Sequence, residues 1–485
     1  MPEFILVFGL IAVILLVTAL ASGLVERSPL SFPLLFLGLG FLLGERGLDL
    51  ISMGPHDPVL EVVATLTLAL VLFLDAVNLQ MDELGKRWLI PALILGPGTL
   101  LIIALGAVPL SLLLGFAWVV AFIGGAILAS TDPVVLREIV RDQRIPRSVR
   151  QVLKIEAGTN DVVVLPIILV LIAVAQSQGR GLGEWATFLA QLLLLGPAIG
   201  FAIGGIGSWA MSRIDAHMPV RREHQSLYGL GLVIASYAAA TAAGGDGFLG
   251  AFAAGLAVTL LNQTLCDCFL EYGEVTSEMA MLLAFVLFGV VLSGIIDTVN
   301  IPLALALAGM VILVIRPAVL GLVLSRSRMS WEAHAFVAWF GPRGLNSLLL
   351  ALLAVQAGIP GAELLLATVG VVVLASVTIH GATAAPVSAW YGGKASQATL
   401  AEERESTADG LFSHQESEAH RISVEDLERL RSESNPPLIL DVRSRSSYER
   451  DGAQILGSLR VLPDQAVEWA GSQDLGDRLV VAYCT

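Results

Sequence analysis

Charge is what this sequence has least of. Only 14% of its 485 residues are Asp, Glu, Lys or Arg, against 55% hydrophobic residues, and the mean hydropathy is +0.79. A soluble chain carries roughly 25% charged residues to keep its surface in water, so an ordinary water-soluble globule is excluded. Cysteine is scarce too: Cys266, Cys268 and Cys484 are too few for a disulfide framework. The Cys266–Cys268 pair has no further Cys or His at metal-ligand spacing and reads as two thiols in a loop near a span end. No cofactor is expected. A net charge of -14 leaves no basic footprint for nucleic acid.

What is abundant is apolar sequence. Runs of ~20 hydrophobic residues, separated by short polar loops, recur from Phe4 to Trp390, the pattern of an all-α polytopic membrane protein. The first run, FILVFGLIAVILLVTALASGL, has no basic segment before it and is too long for a signal-peptide core, so it reads as a retained span. The polar loops delimit thirteen spans, near 3–22, 29–45, 58–78, 87–113, 116–140, 150–175, 185–210, 225–243, 247–262, 277–296, 301–324, 331–355 and 362–390. One set of alternate loops holds thirteen Lys and Arg residues, from Arg27 through the cluster at 137–150 to Arg328, while the opposite set holds Arg46 and Arg180. Positive residues stay cytoplasmic, which places the N-terminus outside and the C-terminus inside.

Past Lys394 the character changes. The remainder holds 17 acidic and 9 basic side chains, so -8 of the total charge belongs to the tail. Residues 393–421 read as an acidic linker after a membrane domain at 1–392. Within 422–485, ISVEDLERLRSES reads as an amphipathic helix, with PPLILDVRS and DRLVVAYC as strands of a small cytoplasmic α/β unit. Little persistent order is expected from about residue 395 onwards.

A charge at the centre of a bilayer costs about 3 kcal/mol or more, so intramembrane charges ask for a function. They are Asp75, Asp132, Glu156, Asp161, Arg316 and Arg343, with Asn160 beside them and Lys154 nearer a helix end. His380 reads as a hydrogen-bonded packing histidine. Span five contains ASTDPVVL and span twelve WFGPRGLNS, and each proline denies a backbone hydrogen bond. One such proline means only a kink. Two in corresponding positions of inverted repeats, spans 1–6 and 8–13, point to paired interrupted helices around a transporter's binding site. Asp132 and Arg343, one at each break, have the signs needed to offset the helix ends that would face each other there.

Span six begins KIEAGTNDVVVLP. Lys154 reads as a residue snorkelling to the cytoplasmic boundary. Glu156 lies deeper and needs a cation, and Arg316 of span eleven is the intramembrane arginine outside the breaks; a structural Glu156–Arg316 pair is expected. That leaves Asp161 without an obvious partner. A carboxylate able to hold a proton or a small cation, but not both, is the minimum machinery for exchange.

The ordered set of TDP in span five, an acidic residue four before ND in span six, an arginine in span eleven and GPRG in span twelve resembles the Na+/H+ antiporters of the NhaP and NHE type, over residues 1 to about 392. The resemblance implies a homodimer in a bacterial inner membrane, with a mobile core domain moving against a scaffold. It implies that Asp161 binds the transported cation or a proton, with Asp132, Asn160 and Thr131 around it. LFLDAVNL resembles the family's LFEGGL, which makes Asp75 a candidate acid at the cytoplasmic funnel or the ion site. With Asn160 before the aspartate, exchange is expected to be electroneutral. Where the family often reads EGESxFND, Lys154 replaces the first glutamate and Ala157 a serine whose hydroxyl can serve the ion; Thr159 is a substitute oxygen donor. Na+, Li+ and K+ all stay open as substrates.

The tail, LILDVRSRSSYERDGAQILGSL followed by VVAYC, resembles a rhodanese domain, in which Cys484 would carry a persulfide. The loop that would stabilise it is not part of this sequence, so no sulfurtransferase activity, and no enzyme, is expected. Two competing readings are a cation channel and a membrane-anchored rhodanese-type sensor. Paired interrupted helices weigh against the first, and thirteen spans with buried charges against the second.

Overall fold

The computed structural model describes residues 31–79, 89–142, 144–176, 181–325, 327, 329–397, 422–432, 436–444, 447–448, 453–473 and 478–483, with five single positions between 9 and 20. Most of the expected first span and of the acidic linker, Cys484, and the basic residues Arg27, Lys86, Arg87, Arg180, Arg326 and Arg328 lie outside them.

Helices follow the apolar runs: α1 (Phe32–Leu43), α2 (Pro58–Val77), α3 (Ile90–Leu112), α4 (Trp118–Ala129), α5 (Pro133–Arg141), α6 (Arg147–Gln176), α7 (Leu182–Asp215), α8 (Arg222–Ala242), α9 (Gly247–Leu261), α10 (Gln263–Ile295), α11 (Ile301–Val323), α12 (Trp331–Trp339), α13 (Leu345–Gln356) and α14 (Ala362–Gln397). Among the described residues seven of these, α2, α3, α6, α7, α10, α11 and α14, are long and apolar enough to cross a membrane. The shorter apolar helices α4 and α13 each belong to an interrupted span.

Local chemistry sets the boundaries. Asp57 accepts from Val59 N at 2.8 Å to start α2, and Asp246 accepts from Leu249 N at 2.8 Å to start α9. Asn262 does the same for α10 through Leu265 N at 2.9 Å. That cap starts α10 at Gln263 rather than near 277, so Cys266 and Cys268 stand in a helix and not in the loop expected for them. Three long helices carry a π-helical turn beside a proline: Ile94–Gly98 with Pro97, Gln191–Leu195 before Pro197, and Met310–Ile315 before Pro317. A proline has no N–H to give to the carbonyl four residues back, and the ladder widens by one residue around it.

Two compact units divide the chain. The first comprises Met1–Leu136, Lys154–Leu324 and Trp339–Thr383. Its helices pack through small residues: Gly200 and Gly204 of α7 lie so close to α9 that a Cβ would run into Gly250 O or Ala254 O. The second unit comprises Arg137–Leu153, Ser325–Ala338 and Ala384–Thr485. In it Phe336 stacks on Tyr391 at 4.8 Å, and Arg150 Nη1 donates to Val140 O at 3.1 Å.

The tail contributes α15 (Val424–Arg431), β1 (Leu438–Asp441), β2 (Leu459–Arg460), α16 (Ala466–Ser472) and β3 (Val480–Tyr483). The strands form a parallel sheet in the order β2-β1-β3. Asp441 is buried under the guanidinium fork of Arg443, at 2.9 and 2.7 Å. Little order was expected past residue 395, yet α14 runs on to Gln397 and these stretches are folded, because Leu440, Val442 and Val461 bury a small core of their own.

Candidate functional site

The site grows out of the two breaks. Between α4 and α5 residues 130–132 leave the helical path, and Pro133 cannot continue the hydrogen-bond ladder. Between α12 and α13 residues 340–344 do the same around Pro342. The breaks are bonded to each other: Asp132 N donates to Pro342 O at 2.8 Å. Four helix ends with unpaired backbone groups therefore meet in a buried place.

One carboxylate serves two positive ends. Asp132 Oδ1 accepts from Val134 N at 2.8 Å, in the first turn of α5, and Oδ2 accepts from Leu345 N at 2.7 Å, at the start of α13. One guanidinium serves the negative ends. Arg343 Nε donates to Leu128 O at 2.8 Å, at the end of α4, and Nη1 donates to Gly341 O just past α12. Ser347 adds a bond to Ile127 O at 3.2 Å. Both charges are almost wholly excluded from solvent, at 1% and 0% exposure, where fixed dipoles act with little screening. The glycines of GPRG have a steric reason. A Cβ on Gly344 would collide with the Asp132 carboxylate, and one on Gly341 with the Arg316 guanidinium.

Arg316 stands directly after the π-helical turn of α11 and reaches α6. Its Nη1 meets Glu156 Oε1 at 2.6 Å and its Nη2 meets Oε2 at 3.1 Å, while Nη2 also donates to Phe340 O at 2.9 Å. This bidentate pair ties α6 and α11 to the second break.

Asp161, one turn beyond Ala157 on α6, is 1% exposed. Ser130 Oγ donates to its Oδ1 at 2.5 Å, and Asn346 Nδ2 donates to its Oδ2. The buried side-chain oxygens without a hydrogen-bond partner include Thr131 Oγ1, Asn160 Oδ1 and Asp75 Oδ2. Asp75, near the end of α2, faces α6, since a Cβ on Gly158 would stand 3.9 Å from its Oδ1. Hard neutral and anionic oxygens of this kind are the ligands that alkali and alkaline-earth cations take.

The expected residues fall into three groups. Asp132 and Arg343 hold the breaks, Glu156 and Arg316 pair, and Asp161 is held by partners the sequence reading had not assigned. Ser130 stood unremarked next to TDP, and Asn346 three residues after Arg343; a polar residue inside LNSLLLALLAV was the available signal. Ser376 was also missed: it accepts from Arg343 N at 2.8 Å and lies 3.2 Å from His380 Nδ1, while His380 Nε2 lies 3.1 Å from Trp339 O. Thr159 does not turn to the site; its hydroxyl donates to Ile155 O of its own helix at 2.5 Å. Lys154 is half-buried, two residues before Glu156.

Two interrupted helices bonded at their breaks, with a buried carboxylate beside them, form an arrangement of the kind that secondary transporters use around a binding site. The chain belongs to the sodium/hydrogen exchanger family: the profile of that family's transmembrane part matches residues 11–390. It is 28% identical over 392 residues to the K(+)/H(+) antiporter NhaP of Alkalimonas amylolytica, covering 80% of this chain and 66% of that protein. It is 27% identical over 380 residues to the K(+)/H(+) antiporter NhaP2 of Shewanella sp. strain MR-4, covering 77% and 64%. The match thus spans just under two thirds of the length of these curated relatives. The fold is shared with the sodium proton antiporter MjNhaP1 of Methanocaldococcus jannaschii, at a TM-score of 0.66 and 20% identity, over 81% of this chain and all of that one.

Proposed function

We propose that this protein exchanges H+ for a monovalent cation across the membrane, one for one, with Asp161 binding proton or cation in competition. The observation that carries the reading is the Asp161 carboxylate, buried at the helix crossing between Ser130 and Asn346, with Thr131, Asn160 and Asp75 oxygens left without partners. Asp132 stands beside them at the break, and Asn160 adds polarity without a second charge. Since one titratable carboxylate trades one charge for one charge, the exchange is electroneutral. The named relatives divide between K+ and Na+, so both, with Li+, are candidate substrates.

The rest of the reading follows that function. Thirteen spans form two inverted six-helix repeats, with the N-terminus outside, the C-terminus cytoplasmic and the chain dimeric in a bacterial inner membrane. The Glu156–Arg316 pair and the Asp132 and Arg343 caps serve structure, keeping the breaks rigid while the core moves. The tail at 422–485 is a rhodanese-like module on the cytoplasmic side.

The test is cation-dependent dissipation of a pH gradient in vesicles holding the purified chain. Wild type dissipates it with Na+ or K+, and Asp161→Asn loses the activity; a variant that exchanges fully refutes the assignment. An imposed membrane potential leaves the rate unchanged, and clear voltage dependence sinks electroneutrality. Cation current uncoupled from pH marks a channel instead.

A further inference from the structure

We infer that Asn346 is a switchable ligand, donating to Asp161 through Nδ2 when the carboxylate is bare and turning Oδ1 to the cation when one is held. The inference rests on the antiport reading and deepens it.

Three observations point to Asn346. Its carboxamide is 2% exposed in the first turn of α13, beside Ser347 at the head of a largely apolar helix, and Nδ2 faces Asp161 Oδ2 across 185 positions of sequence. Its place is fixed by the break itself, because the preceding Leu345 N is held by Asp132 Oδ2 at 2.7 Å. And neither Ala157 nor Thr159 of α6 brings a hydroxyl to the site: Ala157 has none, and Thr159 directs its own at Ile155 O. The unpartnered oxygens of Thr131, Asn160 and Asp75 are buried at 1%, 2% and 7% exposure, and supply part of a coordination shell.

A carboxamide carries two N–H donors and one carbonyl acceptor on the same carbon. Half a turn about its last bond exchanges them without moving the backbone. Toward a bare carboxylate the NH2 end is favourable, and toward a carboxyl group that holds a cation or a proton the oxygen is. Ser130 has the same double capacity through one hydroxyl. Of the two, Asn346 stands on the far side of the crossing, so loading Asp161 acts directly on the second interrupted helix. The residue then sets the affinity and the choice of cation.

The experiment compares wild type, Asn346→Leu and Asn346→Gln, each as the full chain in vesicles, for the half-saturating Na+ and K+ concentrations and the maximal rate. Asn346→Leu keeps the volume and removes donor and acceptor; Asn346→Gln retains the carboxamide. Loss of one ligand raises the half-saturating concentration about tenfold, more than it lowers the maximal rate, and changes the Na+/K+ ratio. Asn346→Gln recovers part of the loss. If Asn346→Leu does not fold, Asn346→Ala is read in the same way. A lower maximal rate with the wild-type half-saturation and ion ratio marks a purely structural residue and overturns the inference while leaving antiport intact. A wild type that dissipates the gradient with no monovalent cation overturns the antiport reading and this inference with it.

Discussion

Neutralising Glu156 while keeping its shape, as Glu156→Gln does, isolates the work done by the buried pair. Arg316 and Glu156 are 1% and 2% exposed, so neither has water to fall back on. The guanidinium makes two contacts to the carboxylate, at 2.6 and 3.1 Å, and one to Phe340 O at 2.9 Å. An amide at 156 still accepts one of those hydrogen bonds, but the charge on Arg316 stays buried without its counter-ion. Breaking a buried pair from one side costs about 3–5 kcal/mol, or roughly a hundredfold to several thousandfold in the folding equilibrium. Arg316→Gln leaves the complementary carboxylate and costs a similar amount. The double variant removes both charges, so its loss falls well short of the sum of the singles. Reversible unfolding of the purified protein in mixed micelles measures all three. If the double loss equals the sum of the singles to within about 0.5 kcal/mol, the residues are not coupled and the argument fails. A charge-swapped Glu156→Arg/Arg316→Glu protein recovers more than either single change but less than wild type, because a carboxylate at 316 cannot donate to Phe340 O.

Other predictions follow from the same geometry. Gly344→Ala forces the Asp132 carboxylate off Leu345 N and destabilises by about 1–3 kcal/mol, whereas Gly321→Ala, with open space around its Cβ, is near neutral; equal shifts in thermal stability for the two refute the steric reading of GPRG. In the tail, burial works against the Asp441 anion, but hydrogen bonds from the Arg443 guanidinium and backbone N–H and from the Tyr483 hydroxyl outweigh it and hold the carboxyl below the usual range. Its native value being depressed, the stabilisation is complete above the unfolded value of about 3.9 and is lost as pH falls through the native one. Acid titration of the whole chain, followed by Trp469 fluorescence, shows that loss in wild type and a flatter profile in Asp441→Asn; identical profiles refute it.

The sequence was informative wherever the physics is local. Crossing a hydrocarbon layer requires a run of apolar residues, and hydropathy is summed along the chain, so α2 through α14 fall where the runs are. Pro133 and Pro342 announced the breaks because a missing N–H is a property of one residue. The apolar, membrane-length stretch that includes most of α10, Gly273–Thr298, falls near the expected span at 277–296, but the helix itself starts earlier, at Gln263, because QTLCDCFLEYGEVTSE is polar enough for a loop and the Asn262 cap decides otherwise.

Charge bookkeeping along the sequence paired Glu156 with Arg316 by elimination, and set Asp132 and Arg343 by sign against the helix ends at the breaks. It left Asp161 apparently alone. The pairing of Asp161 with Ser130 and Asn346, and the crowding of Gly341 and Gly344 by Arg316 and Asp132, depend on distances of a few ångströms between segments up to 185 positions apart. Composition thus determined that this chain lives in a membrane and which charges it could not bury without purpose. Tertiary structure alone decided which neighbour answers each charge, because hydrogen bonds fall off within ångströms while hydropathy is read over twenty residues.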